Sequence, residues 1–299
     1  MKLVLATRRS ALALAQSRAF AARLEAAHPG LVVEELQIVT SGDKNQTDRL
    51  QDIGGKGLFV KELEEALFDG RADFAVHSIK DVPAELFAGL SIACIPERED
   101  PRDALVTRTG AKLEALPEGA VVGTSSLRRS VSLLRVRPDL RIEPLRGNVD
   151  TRLRRLEEGR FDAIVLAYAG LRRLGLAERA TEVLDVERSI PAIGQGALGI
   201  ECRSADERTQ GLLAALVHEE TQRCVAAERA LMAAVDGNCR FPVAAHARRD
   251  GSDELHLTAL LAEPDGSRPR LGERRVPYPA SDAEAASLGT ELGRALRAG

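Results

Sequence analysis

Tryptophan is absent from the 299 residues, and seven Phe with two Tyr bring aromatics to only 3%. A stacking platform for nucleic-acid bases is therefore not expected, and the core must be built from Ala, Val, Leu and Ile. Long apolar runs are missing too: no window approaches the roughly 18 uninterrupted apolar residues that suggest a membrane span. The opening stretch MKLVLATRRSALALAQSR reads against a signal peptide, because Arg8, Arg9 and Arg18 follow and interrupt its short apolar run. Cys94, Cys202, Cys224 and Cys239 show no CxxC spacing. Without an export signal, the expectation is reduced thiols in the cytoplasm. His28, His77, His218, His246 and His256 are scattered without HxxxH spacing, so no metal site is expected. An excess of either charge is lacking as well. The 42 basic and 45 acidic residues leave a net −3, which draws the chain to neither nucleic acid nor membrane.

What is abundant is arginine. Between Arg128 and Arg160 there are ten Arg and no Lys, against five acids. The guanidinium fork fits carboxylates and phosphates better than an ammonium does. The length suits two or three domains at roughly 100–200 residues each. Strands are expected over 2–7, 31–40, 74–79 and 90–95, with helices over 10–27 (apolar face Leu12, Ala15, Ala19, Phe20) and 58–69. This is the β-α-β order of a sheet with helical crossovers. The charged, proline-bearing stretch 96–103 reads as a crossover into a second α/β unit. That unit has strands over 104–107, 121–123, 141–145 and 163–167, and helices from Ser126 and over 149–158. Residues 189–196 read as the return, after which strand 197–203 is free to rejoin the first sheet. Two crossings between α/β units suit a hinged pair with a ligand cleft. A helix over 221–235, a loop at 236–239, strands over 243–248 and 254–262 and a final helix over 282–298 make a smaller α+β domain.

Several short motifs carry possible chemistry. Val76-His-Ser-Ile-Lys-Asp-Val-Pro83 ends a strand and delivers Ser78, Lys80 and Asp81 to a loop, where ligands of open α/β sheets bind. Asp81 there could stabilise a cation or pass protons; a carboxylate merely opening a turn is the plainer alternative. Gly123-Thr-Ser-Ser-Leu-Arg-Arg129 sets Thr124, Ser125 and Ser126 where a helix begins, an anion site with Arg128 and Arg129 beside it, or simply a good cap. Leu145-Arg-Gly-Asn-Val-Asp-Thr-Arg152 places Arg146 and Arg152 near another helix start, unfavourable against the dipole unless an anion intervenes. Arg154 and Arg155, next to Glu157 and Glu158, read as a solvated helix face. Arg8 and Ser10 form a third site at the first strand end, with Arg9 as surface decoration. The glycine-rich residues 42–57 read as a mobile loop carrying Lys56, and the GxxxxGK[ST] phosphate-loop spacing is incomplete. Cys239 stands apart from the other thiols, since Gly237, Asn238 and Pro242 argue for exposure and Arg240 would favour a thiolate.

Taken in order, ATRRS, GGKGLFVKELE, AVHSIKDVP, REDPRDALV, VGTSSLRR, LRGNVDTRL, GQGALGIECR and GNCRFP give a chain that resembles the porphobilinogen deaminase family from Ala6 to Pro242. The resemblance implies an α/β protein: two hinged periplasmic-binding-protein-like domains, 1–98 plus 197–216 and 99–196, and a smaller α+β C-terminal domain, 217–299. It implies a monomeric cytoplasmic transferase that condenses four porphobilinogen molecules head to tail, with loss of ammonia, and releases hydroxymethylbilane. The implied cofactor is dipyrromethane, thioether-linked to Cys239. By the same resemblance, Asp81 and Lys80 are catalytic. Ser10, Ser78, Lys80, Asp81, Thr124, Ser126, Arg128, Arg129 and Arg146 bind the cofactor. Arg8, Lys56, Ser125, Arg146, Arg152 and Gln195 bind substrate. Ala11 and Asn238 depart from residues common in the family, Pro and Gly respectively. The alternative from a different class is a hinged small-anion-binding module without catalysis, which leaves Cys239 unexplained.

Overall fold

The computed structural model describes residues 1–41, 60–83, 86–235, 241–251 and 253–299. Lys56, Cys239 and the loop expected over 42–57 lie outside the described residues. The chain divides into two compact units, Met1–Arg98 with Ala197–Gln222, and Glu99–Gly196 with Arg223–Gly299.

In the first unit, β1 (Lys2–Arg8) runs into α1 (Ala11–Ala27), followed by β2 (Val32–Ile38), α2 (Lys61–Phe68), β3 (Phe74–Ser78) and β4 (Leu90–Cys94). Strand β10 (Leu198–Arg203) rejoins this sheet, whose order is β2-β1-β3-β10-β4. β1 pairs in parallel with β2 and β3, while β10 runs antiparallel to β3 and β4. The Ser10 hydroxyl caps α1 by accepting the Ala13 N–H at 3.3 Å. The helix stops at His28, before Pro29 and a left-handed Gly30 at φ +83°. Its buried face is Ala13, Gln16, Ser17, Phe20 and Leu24, and Ala19 is exposed. The expected face was rotated because Gln16 and Ser17, though polar, point inward: the Ser17 hydroxyl donates to Thr7 Oγ1 at 2.8 Å. One core, of Leu3, Leu5, Phe20, Leu24, Phe74 and Ile200, lies where α1 covers the sheet. A second, of Ala6, Leu63, Ala66, Leu67 and Ala75, lies under α2.

The second unit opens with β5 (Asp103–Thr107), β6 (Val121–Gly123), α3 (Leu127–Val136), β7 (Arg141–Glu143), α4 (Val149–Glu157), β8 (Ala163–Ala167), α5 (Tyr168–Arg173) and β9 (Glu182–Val183). The sheet order is β7-β6-β8-β5-β9. β6 is parallel to β7 and β8, and β5 is antiparallel to β8 and β9. Both five-stranded sheets therefore share one wiring: two parallel pairings, then two antiparallel ones. In each, the fourth strand comes directly after a crossover segment. The structural repeat leaves no trace as sequence repetition.

After α6 (Glu207–Leu213), helix α7 (Glu219–Ala234) leads to β11 (Val243–Asp250), β12 (Glu254–Leu261), β13 (Arg270–Pro277) and α8 (Asp282–Ala298). The three strands form an antiparallel sheet, with α7 and α8 closing a core of Leu231, Leu255, Leu257, Leu292 and Leu296. Strand β13 was not anticipated, because its charged sequence RLGERRVP is mostly exposed on the sheet edge. A small cluster of Val131, Ile190, Ala244, Leu260 and Ala262 packs this sheet against the preceding α/β part of the same unit.

Candidate functional site

Where β3 ends, a 3-10 turn, Ile79–Asp81, anchors the buried Ile79 and leaves Lys80 and Asp81 exposed. A pocket of the first unit gathers Asp81 and Ser78 with Arg8 from the end of β1, Ser10, Ala13 and Gln16 from the start of α1, and His77. Four residues singled out from sequence, Arg8, Ser10, Ser78 and Asp81, thus meet in one place. Lys80 lies beside Asp81 in the turn. Gln16 was missed: it accepts the Ser78 hydroxyl at 3.1 Å and fixes its direction. Arg9 is exposed, as expected.

In the second unit the strand ends of β6 and β7 lie side by side, because the two strands are parallel. The turn after β6 carries Thr124, Ser125 and Ser126, and the turn after β7 carries Arg146. The two turns are tied together. The Ser125 hydroxyl donates to the Leu145 carbonyl at 3.1 Å, and the Thr124 N–H donates to Glu143 at 2.9 Å. Ser126 caps α3 through the Arg129 N–H at 3.4 Å. Arg152 Nε donates to the Gly147 carbonyl at 2.7 Å, and Gly147 itself needs φ +109°. Arg155 is not simply a solvated residue; it donates to the Arg146 carbonyl at 3.4 Å. Arg154 is solvated, at 3.8 Å from Glu158. Two helix N-termini with hydroxyls and guanidinium groups at adjacent strand ends make a donor set suited to carboxylates.

Arg128, Arg129 and Gln195 share a partner within the protein. All three converge on Asp103, which is fully buried. Arg128 donates to Asp103 at 2.7 and 3.2 Å, Arg129 at 2.8 and 3.0 Å, Ser189 at 2.7 Å and Gln195 at 3.0 Å. Arg128 also holds the Ile190 carbonyl at 2.6 Å, and Gln195 the Pro101 carbonyl at 2.6 Å. Burial opposes the Asp103 charge, but the two guanidinium groups outweigh it and hold the carboxyl well below the usual range. Asp103 looked like one more charge in a crossover. The available signal was its position as the first residue of the apolar strand DALVT.

A second buried carboxylate, Glu228 of α7, accepts the Gly194 N–H at 2.6 Å and the Ala247 N–H at 2.8 Å. Arg173 was also missed. It donates to the Gly196 carbonyl at 2.6 Å, and burial pulls its guanidinium down to about 10 against the opposing pull of Glu99. Among the described residues, no cluster of His, Cys, Asp or Glu could hold a metal ion, and no helix is long and apolar enough to cross a membrane. Cys94, Cys202 and Cys224 are buried; burial pushes the first two thiols up to about 12 and about 11.

The fold is mixed α/β, with an exposed acid in a pocket of the first unit and a donor set suited to carboxylates in the second. Comparison with known proteins is more specific. The family model "Porphobilinogen deaminase, dipyromethane cofactor binding domain" matches residues 3–211, and "Porphobilinogen deaminase, C-terminal domain" matches 222–298. The chain belongs to the porphobilinogen deaminase family, and its cofactor is dipyrromethane. A porphobilinogen deaminase of Sorangium cellulosum is 68% identical over 298 residues, covering 100% of this chain and 99% of that protein. Solved structures resemble it more loosely. The BvgS VFT2 domain of Bordetella pertussis has a TM-score of 0.44 at 16% identity, covering 76% of this chain and 91% of that one. The extracellular-binding protein ytmK of Bacillus subtilis has a TM-score of 0.44 at 9% identity, covering 72% and 90%.

Proposed function

We propose that the chain is a hydroxymethylbilane synthase: a monomeric cytoplasmic transferase that condenses four porphobilinogen molecules head to tail and hydrolytically releases the tetrapyrrole. The observation that carries this is the pocket in which Asp81 stands with Arg8, Ser10 and Ser78. We assign three domains, 1–98 plus 197–216, 99–196 and 217–299. Cys239 holds the cofactor by a thioether. In support, GNCRFP falls within the C-terminal family match, and the other three thiols are buried. When bound, dipyrromethane supplies the pyrrole α-carbon on which the chain grows.

The protein's own groups do the rest. Asp81 stabilises the cation left when substrate loses ammonia, then takes up the proton released from the attacking α-carbon. Lys80 and Arg8 offset the negative charge of acetate and propionate groups. Ser10, Ser78, Thr124 and Ser126 orient the cofactor carboxylates with Arg146. Ser125, Arg152 and Lys56 serve the incoming substrate. Arg128, Arg129 and Gln195 contribute through Asp103, by fixing the start of α3 and the return crossover. Intact mass spectrometry tests the reading. The protein is expected to carry a two-pyrrole adduct, lost in Cys239→Ser; an active protein of unmodified mass would refute it. Asp81→Asn is expected to keep the adduct or fold intact while turnover falls by at least about a hundredfold.

A further inference from the structure

On the α2 side of the first sheet, an otherwise apolar layer contains three titratable side chains. Ala75 and His77 sit two residues apart on β3 and share this face. On β10, Ile200 and Cys202 belong to the opposite core, so Glu201 between them points toward α2. His77 Nε2 lies 3.0 Å from Glu201 Oε2, and both side chains are buried. Glu201 is fully buried, and its Oε1 has no hydrogen-bond partner. From α2, Glu64, 9% exposed, completes the group. Burial, and then the charge of Glu201, raise the Glu64 carboxyl above its ordinary range; His77 and the Phe87 N–H partly offset this. The other charged groups among the described pocket residues are Arg8 from β1 and Asp81 from the turn. Arg203 of β10 is occupied at the far end of α2, by the Leu67 and Ala72 carbonyls at 2.7 Å each.

In a dry layer the charge of one such group acts strongly on its neighbours, and the Glu64 carboxyl is raised by burial and by Glu201. His77 also lines the pocket, one residue before Ser78 and four before Asp81. We propose that Glu64, His77 and Glu201 act as one buried polar triad, and that His77 is a positioning residue through which this triad sets the pH dependence of the Ser78–Asp81 segment. The inference rests on the proposed reading of the pocket, but its first test does not.

Carboxyl titration by NMR on glutamate-labelled holoenzyme reads Glu64 directly. Glu201→Gln removes a like charge, so the Glu64 midpoint falls toward its ordinary range. His77→Gln removes an opposing influence, so it rises. A Glu64 midpoint unmoved by both overturns the triad. Turnover is the second arm. Glu201→Gln lowers kcat by about tenfold, with KM for porphobilinogen changed less than about twofold, and Glu201→Asp recovers part of it. Glu64→Gln, isosteric with the protonated acid, removes the limb of the kcat–pH profile that follows Glu64. Profiles that superimpose on wild type, in variants with unchanged thermal melting, overturn the positioning role. If Glu201→Gln does not fold, His77→Gln decides the NMR arm and Glu64→Gln the turnover arm. Normal turnover by Asp81→Asn would instead sink the reading of the pocket and leave the NMR result standing.

Discussion

Asp103 is a fully buried carboxylate that gathers donors from separate parts of the second unit. It takes donors from Arg128, Arg129, Ser189 and Gln195, and so joins the opening of β5, the first turn of α3 and the return crossover. Removing one member of such a cluster leaves buried charge uncompensated, at about 3–5 kcal/mol. Asp103→Asn is expected to cost that much at neutral pH, measured by urea unfolding. The sign with pH follows from its depressed titration. Its stabilisation is present above the unfolded-state value of about 3.9 and drains away as pH falls below it. The gap between variant and wild type should therefore narrow below about pH 4. At this scale the sequence was informative about exposed chemistry and silent about buried charge. Arg8, Ser10, Ser78 and Asp81 announce themselves at the ends of regular elements. Arg128 and Arg129 look identical whether they face a ligand or a hidden carboxylate, because the partner lies 25 residues away or more.

Elements were legible where their hydrophobic period was strong and their ends capped. Strands β3 and β8, buried at four of five positions, were placed within a residue. Strand β13 was invisible, since an edge strand facing water on one side can be built from arginine and glutamate. The face of α1 differs from its apolar pattern because Gln16 and Ser17 turn inward, to Ser78 and to Thr7. Close helix contact is also hidden in sequence. A Cβ at Gly289 of α8 would collide with the Ala227 carbonyl of α7, and one at Gly293 would come within 2.9 Å of the Ala234 side chain and 3.0 Å of the Leu231 carbonyl. Helix propensity favours Ala over Gly by about 1 kcal/mol. Gly289→Ala is nonetheless expected to lower the melting temperature by several degrees, by forcing α7 and α8 apart. A rise in melting temperature would show that propensity dominates.

At the scale of the whole chain, the return crossover runs between two buried carboxylates. Ser189 and Gln195 are seated on Asp103, and Gly194 on Glu228. Glu228 accepts two backbone N–H groups, whereas Gln can accept with only one oxygen and turns a donor toward the other. Glu228→Gln should therefore leave a buried N–H unsatisfied, worth about 1–3 kcal/mol. The expected signature is faster amide hydrogen exchange at Gly194 and Ala247; unchanged protection at both would contradict it.

The shared wiring of the two α/β sheets has a consequence for how the chain is born. β10 sits between β3 and β4, yet it is translated about a hundred residues after them. Until residue 203 has cleared the ribosome, β3 and β4 have no common neighbour, and each exposes a strand edge. The amino-terminal unit is thus obliged to wait, half-built, while the next unit is synthesised, though nascent domains ordinarily fold in order of emergence. Chains arrested after β4 should be readily cleaved by protease, and those arrested well beyond β10 resistant. That waiting interval is when a chaperone has most to protect.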